Sequence, residues 1–556
     1  MLRLVYNDDF EQPMTRARLG HAADDIAAWF DAILATPVDA LVGCAVWTDI
    51  CFHATRAGER MLSRPGHILP SAAYWHWQRI FEELEAAGTD ILRLAAAGAR
   101  RRRKRFLAGV RLSDAHHAFG AGYPADPRFP RFVHEHPEYR LRKPDFLRRP
   151  NDDEWDVTLD YSFPEVREHR LAIIRETIEN YDLDGVELDF IRFGRHFPWP
   201  ATADHTRIMT DLLRQIRQML ETSFRRRGRS DRPLIGARLP PILAACAPRG
   251  LDPAGLAREG LVDYLAPADF LFADFQLDIG DYLAAVRDTT CRVLFALQPW
   301  SAPQWSDELR LYALGFPLNV PEFRALAACG YAAGAHGLHA FNLSCEFPGR
   351  RAEMLAALEA VASPAAIRAG PRHYQYLPHD VATDALGLER RQTLRFLHDD
   401  MHVGACAGRA RSPNAPRTAR RAVPTDTSSC MTYDAKDNAG NARQPQSFRF
   451  RCGETREAQG RIVWRIYNSC AADRWQFRLN GQIIDPACVP AEYRPADQVG
   501  QTVLKFPTHM RFALDLRAAP RLRTANELEI VALALEPGYA GERVMELLEI
   551  VVVDQA

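Results

Sequence analysis

Two carboxylates two residues apart, Glu187 and Asp189, carry the chain's sharpest chemical signal. They alternate with Val186, Leu188 and Phe190, the period-two pattern of a β-strand, so both acids share one face and the apolar side chains the other. Two acids at i and i+2 are close enough for like charge to separate their pKa values. One can then serve as a proton donor while the other stays ionised. Arg192 follows directly. A strand face bearing Glu, Asp and Arg is costly in apolar surroundings and suits a polar cavity. The competing reading is a structural salt bridge with Arg111, Arg192 or Arg238.

The elements around this strand alternate. Strand patterns occur near Leu2–Phe10, Ala40–Trp47, Phe106–Arg111, Leu234–Leu239, Tyr264–Phe270, Val293–Gln298 and Gly337–Leu343, with helical periodicity between them. With the Glu187 strand as the fourth, eight β/α repeats predict a (β/α)8 barrel of the TIM type over residues 1–365. A doubly wound open sheet would be expected to show a Gly-x-Gly-x-x-Gly turn after a strand, and the chain has none. The long aromatic- and Pro-rich stretch Phe119–Asp156 reads as a binding loop or lid.

In such a barrel the working residues sit at the C-terminal ends of the strands. Those ends hold Asp8 and Asp9; Trp47 and Asp49; Arg111, Asp114 and His116; Glu187, Asp189 and Arg192; Arg238; Asp269; Gln298 and Trp300; and Asn342. Acids for proton and nucleophile work, aromatic faces for stacking on rings, and amides or arginines for hydroxyls are what a carbohydrate site requires. The expected roles are Asp189 as nucleophile or stabilising carboxylate, and Asp269 or Glu187 as general acid. Asp8, Trp47, Arg111, Asp114, His116, Arg192, Arg238, Gln298, Trp300 and Asn342 are expected to bind substrate. Asp114, His116 and His117 could also hold a metal with Asp49 or His53, but they lack compact ligand spacing, so neither metal nor cofactor is expected.

Two segments resemble a known group. Phe163-Pro164-Glu165-Val166-Arg167 leading to Tyr181-Asp182-Leu183-Asp184-Gly185-Val186-Glu187-Leu188-Asp189-Phe190, and Val110-Arg111-Leu112-Ser113-Asp114-Ala115-His116, resemble the glycoside-hydrolase-like barrels of bacteria. The resemblance spans roughly residues 1–360 and implies a barrel with an appended β-sandwich and a glycosidase activity, without naming a sugar. The fourth strand is also similar to that of chitinase-type barrels, with Asp184, Glu187 and Asp189 on three motif positions. Ile191 stands where that family has its acid, which argues against its substrate-assisted mechanism.

Past Ala365 the pattern becomes short strand-like runs, among them Arg461–Tyr467, Trp475–Leu479, Met510–Leu514 and Leu547–Val553, with a hairpin signal at Asn480-Gly481. Residues 366–556 therefore read as an all-β sandwich, accessory or carbohydrate-binding, with a loop over 404–446 rich in Ala, Arg, Ser and Pro.

The 556 residues carry 70 Lys+Arg against 71 Asp+Glu, so no global field favours nucleic acid or an anionic membrane. The basic run Arg100–Arg105 fits a helix C-terminus better than a nucleic-acid patch. No apolar run approaches the ~20 residues of a membrane span. The start lacks the apolar core of a secretory signal, so a cytoplasmic location is expected unless the start is misplaced. Eleven scattered cysteines read as reduced thiols. The alternatives to a hydrolase are a lyase of uronic-acid polymers using His116 as base, a carbohydrate-binding barrel without catalysis and, third, a metal-dependent deacetylase.

Overall fold

The computed structural model describes residues 2–69, 71–120, 122–143, 156–269, 272–300, 304–306, 311–313, 318–343, 351–376, 394–396, 445–454, 458–467, 469–494, 497–499, 504–506, 509–536 and 543–553. They form two units. The first comprises residues 1–271, 277–299 and 333–362, and the second 272–276, 300–332 and 363–556.

The first unit is a closed parallel barrel. Its strands are β1 (Leu4–Asp8), β2 (Ala40–Trp47), β3 (Arg105–Arg111), β4 (Gly185–Asp189), β5 (Leu234–Leu239), β6 (Tyr264–Pro267), β7 (Arg292–Leu297) and β8 (Gly337–Phe341). Each pairs in parallel with the next, and β1 pairs with both β2 and β8, which closes the ring. Helices Ala22–Ala35, Ile91–Arg101, Pro164–Asn180 and Ala203–Arg226 return the chain between strands, and Arg351–Ala360 follows the last strand. They form because their apolar residues recur at helical spacing: Ile26, Trp29, Phe30, Ile33 and Leu34 are the buried stripe of the first. The helix after β7, Val320–Ala332, belongs to the second unit.

Alternation along the strands layers the barrel interior. Val5, Ala40, Val42, Leu107, Tyr264 and Leu294 form an apolar cluster low in the barrel. One step up, the parallel register aligns Gly109, Glu187 and Gly236 on β3, β4 and β5. Two residues further it aligns Arg111, Asp189 and Arg238. The glycine at 236 is required by space: a Cβ there would lie 2.0 Å from the Tyr264 ring. Val186, Leu188 and Phe190 are buried on the opposite face of β4, as the sequence pattern requires.

The strands Ala40–Trp47 and Leu234–Leu239 match the sequence expectation at both ends, and the others differ from it by one to three residues at one or both ends. β6, for example, stops at Pro267, although the next residue, Ala268, still donates to the Leu239 carbonyl at 3.0 Å. The basic run closes helix Ile91–Arg101, and Arg102 pairs with Asp31.

The second unit is a β-sandwich. One antiparallel sheet runs in the order Arg372–Tyr376, Arg543–Val553, Gln459–Tyr467, His509–Asp515, Ala491–Arg494. The other contains Gln446–Arg451, Ala525–Ala534, Arg474–Leu479 and Gln482–Ile483. Between them Phe477 meets Trp464 and Phe512 edge-on at 4.8 and 4.9 Å, an aromatic core joining both sheets. The Asn480-Gly481 hairpin forms with both residues at positive φ (53° and 82°), the backbone twist a tight hairpin needs. The expected loop over 404–446 lies outside the described residues up to 444, and Gln446 begins a strand. Eight described cysteines carry free thiols. Among the described residues no helix is long and apolar enough to cross a membrane.

Candidate active site

β4 delivers its two acids to different depths. Asp189, at the strand end, accepts hydrogen bonds at Oδ1 from the backbone N–H groups of Ile191 and Arg192, both at 2.9 Å. Its Oδ2 accepts from Arg238 Nη1 at 2.6 Å. Every partner is a donor, the set a carboxylate wants. The Arg238 guanidinium also lies 3.5 Å over the Phe341 ring, which fixes its plane.

Glu187 lies one layer deeper and is 1% exposed. Its Oε1 accepts from Asn7 Nδ2 at 2.6 Å, and its Oε2 from the Tyr264 hydroxyl at 2.5 Å and His339 Nε2 at 2.8 Å. Burial pushes its pKa up, but the His339 imidazole, Arg238 and the Tyr264 hydroxyl outweigh it and hold the carboxyl below its ordinary range. A carboxyl in that state is a poor proton donor at neutral pH.

The other half of the mouth is organised by Arg111. Its guanidinium bridges Asp9 Oδ2 at 2.5 Å and Asp114 Oδ2 at 3.0 Å, and stacks 4.8 Å over Trp47. Asn342, in a left-handed conformation at φ 49°, donates from Nδ2 to Asp9 Oδ2 at 2.9 Å. Asp114 Oδ1 contacts His116 Nδ1 at 2.6 Å, while His116 Nε2 lies 2.7 Å from Arg192 Nη2. Arginine can only donate, so Nε2 is the acceptor and the ring is the neutral Nδ1–H tautomer. Burial, resisted by Asp114 and reinforced by Arg192, lowers the His116 pKa and agrees with that state. Burial opposes ionisation of Asp114, but His116, Arg111 and Arg192 hold its pKa well below the usual range.

The remaining expected residues divide. Asp269 is buried just past β6, and its backbone carbonyl accepts from Gln298 Nε2 at 2.5 Å. Trp300 belongs to the second unit, where its backbone pairs with Phe272 and Ala273. Asp8, expected to bind substrate, faces away from the mouth. Its Oδ1 accepts from Phe10 N at 2.8 Å and its Oδ2 from Trp29 Nε1 at 3.3 Å, on the helix side. Asn7 and Asp9 face inward instead, because one residue along a strand exchanges the two faces.

The possible metal ligands are dispersed. Asp49 pairs with His169 and Arg170, His117 reaches the Val157 carbonyl, and His53 lies against Thr177. Among the described residues no three of His, Cys, Asp or Glu gather as a metal site.

Sequence reasoning missed Asn7, Tyr264 and His339. The available signal was a polar side chain inside an otherwise apolar strand, clearest at His339 between Leu338 and Ala340. Asp9 Oδ1, Arg238 Nη2 and Gln298 Oε1 are among the buried polar atoms around the mouth that make no hydrogen bond among the described residues. A hydroxyl-rich ligand supplies what such atoms lack.

A closed eight-stranded parallel barrel with acids and arginines at its C-terminal mouth defines the class: a (β/α)8 barrel followed by a β-sandwich. No protein-family model and no curated protein matches the chain. Solved structures do match. The PgaB (BpsB) glycoside hydrolase domain of Bordetella bronchiseptica is 12% identical, with 66% of this chain and 99% of that domain covered at a TM-score of 0.39. A class V chitinase from Pseudomonas fluorescens Pf-5 is 11% identical, covering 65% and 100% at 0.37. A glycoside hydrolase family 18 N-acetylglucosaminidase from Paenibacillus barengoltzii is 12% identical, covering 65% and 100% at 0.36. Likeness this distant carries no residue roles across, and the barrel assignment rests on its own strand pairing.

Proposed function

We propose that this barrel is a glycoside hydrolase acting on an oligo- or polysaccharide. The observation that carries the reading is Asp189. At the end of β4 it is oriented by Arg238 and two backbone N–H groups, and an acid-, arginine- and aromatic-lined mouth surrounds it. That placement suits a nucleophile or a carboxylate stabilising an oxocarbenium-like transition state. Asp269 is the preferred general acid. Glu187 is reassigned from acid to positioning residue, since it is ionised and saturated with donors beneath the site. Arg111, Asp114, His116, Arg192, Asn342 and Trp47 would bind and orient sugar rings.

The lyase alternative loses support because both nitrogens of its base, His116, are engaged by Asp114 and Arg192.

The test is incubation of the purified protein with chito-, cello-, xylo- and malto-oligosaccharides, following new reducing ends, beside the Asp189→Asn variant. Cleavage by the wild type alone is expected. Equal cleavage by both sinks the role of Asp189, and products absorbing as unsaturated uronates from a pectic substrate would transfer the protein to the lyases.

A further inference from the structure

A cleft in the first unit lies apart from the mouth. It has a volume of about 330 Å³, a size that suits a small molecule. It opens between the short helix Glu11–Arg16, the helix Ala22–Ala35 and the start of the helix Arg351–Ala360. Helical spacing builds its walls: Gln12 and Arg16 come from one face of the first helix, and Asp25, Ala28 and Trp29 from one face of the second. The cleft lies behind β1. Trp29 Nε1 donates to Asp8 Oδ2 at 3.3 Å on the helix side of that strand, whereas Asp9 turns inward to Arg111.

Its lining is divided between an apolar floor and a cationic rim. Pro13, Ala17 and Trp29 are buried and apolar, and around them stand Arg16, Arg18 and Arg351 with a single carboxylate, Asp25. That carboxylate is already committed. Its Oδ1 accepts from Arg18 Nη2 at 2.8 Å, and its Oδ2 from Arg18 Nε at 2.9 Å and the Arg18 backbone N–H at 2.8 Å. Neither Arg16 nor Arg351 forms an ion pair among the described residues. The Arg351 guanidinium is nevertheless fixed: Nη2 donates to the carbonyls of Ala28 at 3.0 Å and Trp29 at 3.2 Å, and the group lies 4.6 Å over the Trp29 ring. Its Nε is buried and makes no hydrogen bond among the described residues. Burial lowers its pKa and no neighbouring acid opposes the shift. A positive charge drawn partly out of water beside neutral carbonyls and a ring is costly, and an anion offsets that cost. Arg16 reaches only Gln12 Oε1, from Nε at 3.4 Å, so its terminal nitrogens have no partner among the described residues. Two guanidinium forks above an apolar floor match an oxyanion carried on a compact body.

We infer that this cleft binds a small molecule through a carboxylate or phosphate group, with Arg16 and Arg351 clamping the anion and Pro13, Ala17 and Trp29 beneath the body of the ligand. Arg18 is left out of the clamp because Asp25 neutralises it. The site uses no residue of the mouth and stands independently of the glycoside hydrolase reading.

The experiment titrates the full chain by calorimetry with inorganic phosphate, glucose 6-phosphate, glucuronate and, as the uncharged control, glucose, at low and high salt. Wild type is compared with Arg16→Gln, Arg351→Gln and Arg100→Gln, the last an exposed arginine outside the cleft that pairs with Asp182. Thermal unfolding checks that each variant folds. Expected is saturable binding of at least one of the anions to a single site, weakened by salt, with no binding of glucose. Affinity should fall about tenfold in Arg16→Gln and in Arg351→Gln, the size of one charge-assisted hydrogen bond, and stay at the wild-type value in Arg100→Gln. Binding of glucuronate alone would name a carboxylate ligand, and binding of glucose 6-phosphate alone a phosphate ester. The site is overturned if no anion binds, if glucose binds as tightly as glucuronate, or if anion binding survives both cleft substitutions, which would give the anion to the arginines of the mouth. Arg16→Gln removes only an exposed link to Gln12, so it decides the question even if Arg351→Gln does not fold.

Discussion

Arg238 donates to Asp189 at 2.6 Å from the position level with it on the neighbouring strand, and the two form a buried ion pair at the mouth. Arg111 is equally level with Asp189 on the other side, yet its guanidinium goes to Asp9 and Asp114. Three arginines and three carboxylates thus sort into specific partners: Asp189 with Arg238, Asp9 and Asp114 with Arg111, and Asp114 with Arg192 through His116.

Breaking the Asp189–Arg238 pair from one side should cost more than removing both charges. Asp189→Asn leaves a buried arginine uncompensated, and about 3–5 kcal/mol of stability should be lost. Adding Arg238→Met should recover part of it. Urea unfolding of the two single variants and the double variant measures the coupling. Additive losses would show that the pair is not coupled.

Glu187→Gln should lower stability at neutral pH by about 1–3 kcal/mol, because the amide places N–H groups where Asn7, Tyr264 or His339 donates. The folded-state pKa of Glu187 is depressed, so its contribution is present above the unfolded value of about 4.3 and disappears as pH falls through the folded value. Unfolding followed from pH 6 down to pH 3 should therefore be less acid-sensitive in the variant than in the wild type. If the folded variant has lost all glycan cleavage while Asp269→Asn has not, Glu187 and not Asp269 is the acid.

His196 should make the fold acid-labile. It is 1% exposed, edge-on to Tyr161 and Phe190, and both ring nitrogens lack a hydrogen bond among the described residues. Burial, with help from Arg249, lowers its pKa to about 3. Below the unfolded value of about 6.5 the unfolded chain takes up a proton that the folded one does not, so stability falls with pH until the folded value is reached. At pH 5 the loss is about 2 kcal/mol. Burial of His117, whose pKa falls to about 4, acts in the same direction. His196→Phe should be more stable than wild type at pH 5 relative to pH 7.5, measured by chemical unfolding at both. An unchanged difference would place the acid sensitivity elsewhere.

Gly236→Ala should destabilise the barrel by about 1–3 kcal/mol or more, because its Cβ would meet the Tyr264 ring that reaches across to Glu187. Tyr264→Phe keeps the ring and removes only the hydroxyl, so it should cost about 1–2 kcal/mol, both variants being measured by thermal unfolding. A larger loss in Tyr264→Phe than in Gly236→Ala would mean that the hydrogen bond, and not the packing, governs this position.

Relations that are local in the chain were largely legible in the residues alone. Period-two alternation put Glu187 and Asp189 on one face of β4 and Val186, Leu188 and Phe190 on the other, and β/α alternation placed Arg111, Asp189, Arg238 and Asn342 at strand ends. The Asn480-Gly481 turn was legible because both residues tolerate positive φ. Depth and partnership came from the folded barrel. Closure of β1 on β8 brings Asn7, Tyr264 and His339 onto Glu187 from strands up to 180 residues away in the chain, and so separates the roles of the two acids. Alternation along β1 sends Asp8 and Asp9 to opposite faces, and the register of β1 in the ring turns Asp9 inward to Arg111 and Asp8 outward to Trp29. Those outcomes depend on register and ring closure, which join segments distant in sequence. A pattern read along one strand shows which residues share a face, but not what that face meets across the barrel.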